Sequence, residues 1–149
     1  MSESAKIDES FERVIVPVDG SELSKKAANI GCFLAKNADK KIVFIHVIEI
    51  PATSFPPVEQ PYMPKVTDKI REKGKALLQD YKNLCANELV SIQTKMPEGI
   101  PDQEIIDFAD KNDLIIMGSK GHSTFERVLI GSVSEKVLHH SESSVMIVR

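Results

Sequence analysis

The sequence predicts an α/β domain, doubly wound around a five-stranded parallel sheet with helices on both faces. Two observations carry this. Three short runs are apolar almost without a break, Val14 to Val18, Ile42 to Ile48 and Leu114 to Met117, and strands apolar on both sides are those buried between two helix layers. Helix-period segments then alternate strictly with the runs, and the chain ends on another apolar run, Val145 to Val148. Such alternation belongs to a layered βαβ domain and not to separate sheets and bundles.

Each element has its own local warrant. The first run, VIVPV, is mostly β-branched and stops at Asp19-Gly20, a turn signal. Between Ser21 and Lys36, Leu23, Ala27, Ile30, Gly31 and Leu34 recur at a period near 3.6, with Ser21 placed to cap the helix. The second run leads into Glu49 to Lys65, which holds Pro51, Pro56, Pro57, Pro61 and Pro64. This long irregular segment reads as a surface excursion with some polyproline character, with a lid or docking loop as the alternative. From Val66 to Leu89 a second helical stripe uses Val66, Ile70, Leu77, Tyr81 and Leu84. Ser91 to Met96 alternates apolar and polar side chains, as a half-exposed edge strand does. A third helix opens at Pro101, suited to a first helical position, and buries Ile105, Ile106 and Ala109. A fourth starts at Ser132, where Ser132-x-x-Glu135 has the form of a capping box ahead of Val133, Val137 and Leu138.

The totals bound the function. A chain of 149 residues supports one core, so residues 1–149 are expected to form a single domain. A net charge of −3 and 5% aromatic residues argue against a nucleic-acid surface, which needs a basic footprint. No window approaches the ~20 apolar residues of a membrane span, and the opening MSESAKIDES is polar and unlike a signal peptide. A cytoplasmic protein is the expectation. Cys32 and Cys85 lie far apart in helical segments without a CxxC or a His at ligand spacing; buried or idle thiols are expected.

Chemistry concentrates in GSKGHSTFERVLIGS, residues 118 to 132, which holds three of the seven glycines. In open α/β sheets ligands bind beyond the carboxyl ends of the strands. The residues delivered there are Pro17-Val18-Asp19-Gly20-Ser21, then Val47 to Glu49, then Gly118 onward. Gly118 and Gly121 let backbone approach a ligand with no Cβ in the way, and Gly131-Ser132 opens a helix whose first amides and dipole favour an anion. Ser119, Ser123, Thr124 and Ser132 add hydroxyls, and Lys120 and Arg127 add positive charge. The combination points to nucleotide phosphates, bound with a dissociation constant on the order of micromolar. The bland alternative is that these glycines only end a strand and begin a helix. A P-loop, Gly-x4-Gly-Lys-Ser/Thr, and a dinucleotide fingerprint after the first strand are both missing from the sequence.

The spacing Gly-x2-Gly-x9-Gly-Ser, continued as GSVSEKV, resembles the universal stress protein family, and within it the ATP-binding branch. The resemblance covers almost the whole chain through VIVPVDGSELS, FIHVIE, EGIP and DLIIMGSKG, in that order. It implies a strand order of 3-2-1-4-5 with ATP across the carboxyl edge of the sheet. By that match Asp19 and the backbone of Val47 face the adenine and ribose, Pro17 and Val18 line that pocket, and Met117 sits at the strand end below it. Gly118, Ser119, Lys120, Gly121, His122 and Ser123, with Gly131, Ser132, Val133 and Ser134, would wrap ribose and phosphates. A magnesium or manganese ion would be held mainly by the phosphates. His122 stands where many relatives carry Arg or Lys, so one phosphate contact is expected to be weaker or pH-dependent.

Other residues have quieter expectations. Asp19 could instead cap the first helix or shape its turn. His46 is expected to be a satisfied core histidine, and His139 and His140 to suit a helix C-terminus. No dedicated base for hydrolysis stands out, since Glu126 is only near in sequence and Glu135 is assigned to the capping box. The implied function is an ATP-binding regulatory switch in the stress response; a slow ATP hydrolase and a ligand-free dimeric scaffold are the alternatives. In the implied order strand five is an apolar open edge, which invites a homodimer through residues 145–148.

Overall fold

The computed structural model describes residues 10–50, 63–86, 89–121 and 130–149. Most of the proline segment, and His122, Ser123, Thr124, Glu126 and Arg127, lie outside them. The elements are β1 (Arg13–Pro17), α1 (Glu22–Asn37), β2 (Lys41–Ile45), α2 (Met63–Leu84), β3 (Ile92–Lys95), α3 (Pro101–Phe108), β4 (Asp113–Gly118), α4 (Ser132–His140) and β5 (Ser144–Val148). The five strands form one parallel sheet in the order β3-β2-β1-β4-β5. The doubly wound fold and its strand order are therefore as expected.

Strict side-chain alternation along the apolar strands builds two cores. Val14, Val16, Ile42, Phe44, Ile116 and Val148 face α1 and α2. Ile15, Val43, Ile45, Ile115 and Met117 face α3 and α4, where Ile105 and Val137 meet them. Helix α1 lies close to the sheet because its inner face is small: Ser24, Ala27, Ala28, Gly31, Cys32 and Ala35. A Cβ on Gly31 would stand 2.8 Å from Val16 Cγ2. Ser21 caps α1 as expected, its side chain accepting from the Ser24 amide at 3.2 Å.

The buried stripe of α2 keeps Tyr81 of the expected set, with Leu77 partly buried against the core, but is otherwise rotated. Gly74, Leu78 and Cys85 also point inward, whereas Val66 and Leu84 are exposed. The helix also begins at Met63, so the end of the expected loop, through Lys65, is helical. In α4 the N-cap is Gly131 and Ser132 is the first helical residue, without a side-chain cap. The expected capping box is not formed, because helical bonding starts one residue early with the Glu135 amide donating to Gly131 O at 2.9 Å. Leu138 turns outward, 44% exposed.

The cysteines are not idle. Cys32 of α1 and Cys85, just past α2, are joined as a disulfide with their Cα atoms 5.8 Å apart. Both are buried, so the expectation of burial holds and that of free thiols does not. They meet because α1 and α2 lie side by side on one face, a proximity that their separation of 53 residues conceals.

One ion pair anchors the opposite end of the sheet. Asp113, 2% exposed, accepts from Arg13 Nε at 2.8 Å and Nη2 at 2.6 Å, and from the Asp110 amide at 2.7 Å. The guanidinium lies over the Phe108 ring, 4.9 Å from its centroid. The hydrogen bonds to Asp113 hold Arg13 above its ordinary range. Asp113→Ala leaves the guanidinium and an amide without their acceptor, and should cost about 2–4 kcal/mol in urea unfolding.

Candidate functional site

The parting of two strands opens the site. β1 pairs with β4 only from Arg13↔Asp113 to Ile15↔Ile115. Yet β1 stays with β2 as far as Pro17↔Ile45, and β4 stays with β5 as far as Gly118↔Val148. Pro17 has no N–H to offer a neighbour, which suits a strand at the point where it leaves one. From β1 the chain turns to the α1 face, and from β4 to the α4 face, so the carboxyl ends of these strands border a switch-point crevice.

A cleft of about 280 Å³ fills that crevice, near the foot of the ~300–1,000 Å³ range of small-molecule sites. Pro17, Val18 and Asp19 form one wall, Val47 the β2 side, and Met117 and Gly118 the floor. Lys120, Gly121, Gly131, Ser132, Val133 and Ser134 close the other side. Of the expected site residues that are described, Ser119 alone does not line the cleft.

Ser119 is instead the joint that assembles it. Its amide donates to Val148 O at 2.8 Å, and its carbonyl accepts from the Gly131 amide at 2.5 Å and from Ser134 Oγ at 3.2 Å. Ser134 Oγ also donates to Gly118 O at 3.0 Å. The chain that leaves β4 is thus returned to its starting point by Gly131, setting Gly118 to Gly121 beside the mouth of α4. Ser134 spends its hydroxyl on these carbonyls.

The glycines have more specific tasks than backbone approach alone. A Cβ on Gly118 would fall 2.8 Å from Leu23 Cβ and 3.1 Å from Leu23 C, so its bareness admits the first turn of α1. A Cβ on Gly121 would fall 2.5 Å from Asp19 Oδ2, so the bare backbone leaves room for that carboxylate. Asp19 Oδ1 accepts from the Ser21 amide at 2.9 Å, so Asp19 shapes the turn before α1 as well as lining the cleft. Gly20, at φ 85°, takes the left-handed conformation that this turn needs.

Behind that turn stands a buried polar chain. Tyr81 OH accepts from the Gly20 amide at 3.0 Å and makes a short hydrogen bond with Ser24 Oγ. Ser24 Oγ donates to Ser21 O at 3.2 Å, so the phenol is the donor in its bond with Ser24. Burial pushes the Tyr81 phenol above its ordinary range, which keeps it protonated. His46 Nδ1 lies 2.8 Å from Val18 O and therefore donates to it; the expected satisfied histidine is found, half-buried, and the residue also lines the cleft.

Glu49, delivered past Val47 as expected, lines the cleft, whereas Ser24, Ile45, His46, Pro101 and Ile105 were not singled out from the sequence as cleft residues. The strand-end rule reaches Ile45 and His46 when it starts at the last residue of β2 and not at Val47. Pro101 and Ile105 enter from α3, whose Ile105 packs in the same core as Ile45, and the EGIP turn was their one local signal.

The electrostatics are mixed. Lys120 and the uncapped first turn of α4 favour an anion, while Asp19 and Glu49 add carboxylates, acceptors suited to hydroxyl groups. Among the described residues no group of three or more His, Cys, Asp or Glu side chains is placed to hold a metal ion. Among them, too, no helix is long and apolar enough to cross a membrane.

Residues 10–149 match the family model described as the universal stress protein family. The chain belongs to that family. It is 33% identical over 141 residues to a universal stress protein of Methanocaldococcus jannaschii, covering 93% of this chain and 82% of that one. The fold superposes on UspA from Lactobacillus plantarum with a TM-score of 0.84, at 24% identity over 93% of this chain and 98% of that one. A family structure from Archaeoglobus fulgidus in complex with dAMP gives 0.70, at 16% identity with 94% and 99% coverage. One in complex with cAMP gives 0.66, at 24% identity with 94% and 98% coverage.

The packing separates structural glycine from exposed cleft surface in a way that can be measured. Gly118→Ala should lose about 1–3 kcal/mol of stability through its clash with Leu23. Ser132→Ala, at an exposed first helical position, should change stability by no more than ~0.5 kcal/mol in the same urea titration.

Proposed function

We propose that the cleft binds ATP and that this universal stress protein is a nucleotide-dependent regulatory switch. The observation that carries this is the Ser119–Gly131 joint, which sets glycine backbone beside an uncapped helix mouth. Together with Lys120, that end offers amides, a helix dipole and a positive side chain to phosphates. Apolar walls from Val18, Val47, Ile105 and Met117 suit a flat base, and the Asp19 carboxylate suits ribose hydroxyls. Two family members in complex with adenine nucleotides, dAMP and cAMP, support the same class of ligand. A magnesium or manganese ion would be carried mainly by the phosphates.

Calorimetric titration of ATP, ADP and AMP, with and without magnesium, tests the ligand. ATP should bind with a dissociation constant on the order of micromolar. Ser132→Glu places a carboxylate at the helix mouth, where it favours the helix but repels phosphate. It should weaken ATP binding at least ~10-fold with the fold intact; unchanged affinity would refute the site. A phosphate-release assay distinguishes switch from hydrolase, and turnover of many per minute would replace this function with catalysis.

We further propose a homodimer through β5. The strand is an edge, with Met146 38% exposed and Val145 and Ile147 half-buried; pairing with a second copy covers the open backbone groups. In sedimentation Met146→Lys should be monomeric where the unaltered protein is dimeric, and a persistent dimer would rule this interface out.

A further inference from the structure

Helices α1 and α2 are fixed to each other at two points. One is the Cys32–Cys85 disulfide. The other is Tyr81, one helical turn before Cys85 on the same inward stripe, bonded to Gly20 and Ser24 at the start of α1. The second point bears on the cleft, because Gly20 lies between Asp19 and Ser21, and Asp19 and Ser24 line the cleft. The Tyr81 ring is itself packed against Phe44, centroid to centroid 5.8 Å, so the phenol follows α2 and not solvent.

We propose that Tyr81 is a positioning residue for the nucleotide-binding turn, and that the Cys32–Cys85 pair makes this positioning redox-dependent. With the disulfide closed, α2 holds the phenol where it keeps the Gly20 amide and Ser24 hydroxyl in place. Reduction gives two buried thiols, which need more room than one disulfide because non-bonded sulfurs stand at van der Waals separation. In a close-packed core this displaces the end of α2 from α1, and the Tyr81 hydroxyl moves with it. The turn carrying Asp19 loosens, and nucleotide affinity falls.

The end of α2 offers the route to the sulfurs. Cys85 follows the last helical residue, and its amide and that of Ala86 are held only by tight-turn bonds, to Lys82 O and Asn83 O at 3.2 Å each. Such terminal turns open at low cost. Closure by a small-molecule disulfide takes two exchanges. One cysteine thiolate attacks that disulfide and releases one small thiol; the other cysteine thiolate then displaces the second. The protein gives up two electrons and two protons, which leave on the two small thiols, and a dithiol reductant reverses the sequence.

This regulation presupposes the nucleotide cleft proposed above, so the test has one arm with ATP and one without. ATP affinity is measured on the full chain, oxidised and reduced, with thiol titration confirming each state. Reduction should weaken binding by roughly fivefold or more. Oxidised Tyr81→Phe should show a similar loss and no further response to reductant, and Cys32→Ala/Cys85→Ala should also be insensitive to reductant. In the ligand-free arm, hydrogen exchange at the Gly20 amide should quicken on reduction and in Tyr81→Phe, while amides at the centre of the sheet do not change. Equal affinity and equal Gly20 exchange in the two redox states would overturn the proposal, as would free thiols that resist oxidation. Tyr81→Phe with unaltered affinity would remove Tyr81 as the link. If ATP binds neither form, the nucleotide function has failed while Gly20 exchange still decides the coupling.

Discussion

Everything at the carboxyl edge depends on β1 and β4 separating after Ile15 and Ile115. A parallel sheet hydrogen-bonded to its last residue would offer no gap between neighbouring strands, and the loops on either side would have nothing to enclose. Here each strand keeps its outer partner while losing its inner one. The gap is thus opened without leaving either strand unsupported. Proline at position 17 fits the arrangement, since the strand gives up a donor only where no acceptor faces it. The Ser119 joint then sets Gly131 and the start of α4 beside the end of β4.

The sheet can bear this opening because its two cores are continuous below it. Val14, Val16, Ile42 and Phe44 are inaccessible to solvent on one face, and Ile15, Val43 and Ile115 on the other. That same burial explains why the fold was legible in the sequence. Strands apolar at every position leave few alternatives once helical periods lie between them. β3 was legible for the opposite reason, since Ile92 is half-buried and Gln93, Thr94 and Lys95 are exposed, as an edge requires. The order of the strands came from resemblance and not from periodicity, because pairing is a property of the assembled layers.

Less of the site was legible, and the failures share a cause. Gly118 has the local look of a phosphate-loop glycine, yet its missing Cβ faces Leu23 on a helix 95 positions earlier in the chain. Ser134 looks like a free helix-start hydroxyl, but Gly118 and Ser119 carbonyls are within its reach. The disulfide, the rotated stripe of α2 and the entry of Ile105 all depend on how helices settle against the sheet. Residue type and spacing constrain what lies along one element. They say little about which neighbour a side chain meets across a layer. Asp19 shows both sides of this: turn-shaping and cleft-lining were rival readings from sequence, and in the structure the residue does both, accepting from the Ser21 amide while it lines the cleft.

The buried phenol is the most costly choice in this arrangement, and its chemistry explains its use. A tyrosine beside Phe44 could have been phenylalanine with no polar atom to satisfy. Its hydroxyl instead accepts from one backbone amide and donates to a serine that donates onward, so the chain from Gly20 to Ser21 is closed. Fully satisfied buried networks of this kind define position more sharply than apolar contact does, because a shift of a few tenths of an ångström lengthens every bond in the series. Such a network stands directly behind a cleft-lining turn, with a covalent link one helical turn farther along. Apolar packing alone would hold α2 on the sheet without bonding it to the turn at the cleft wall.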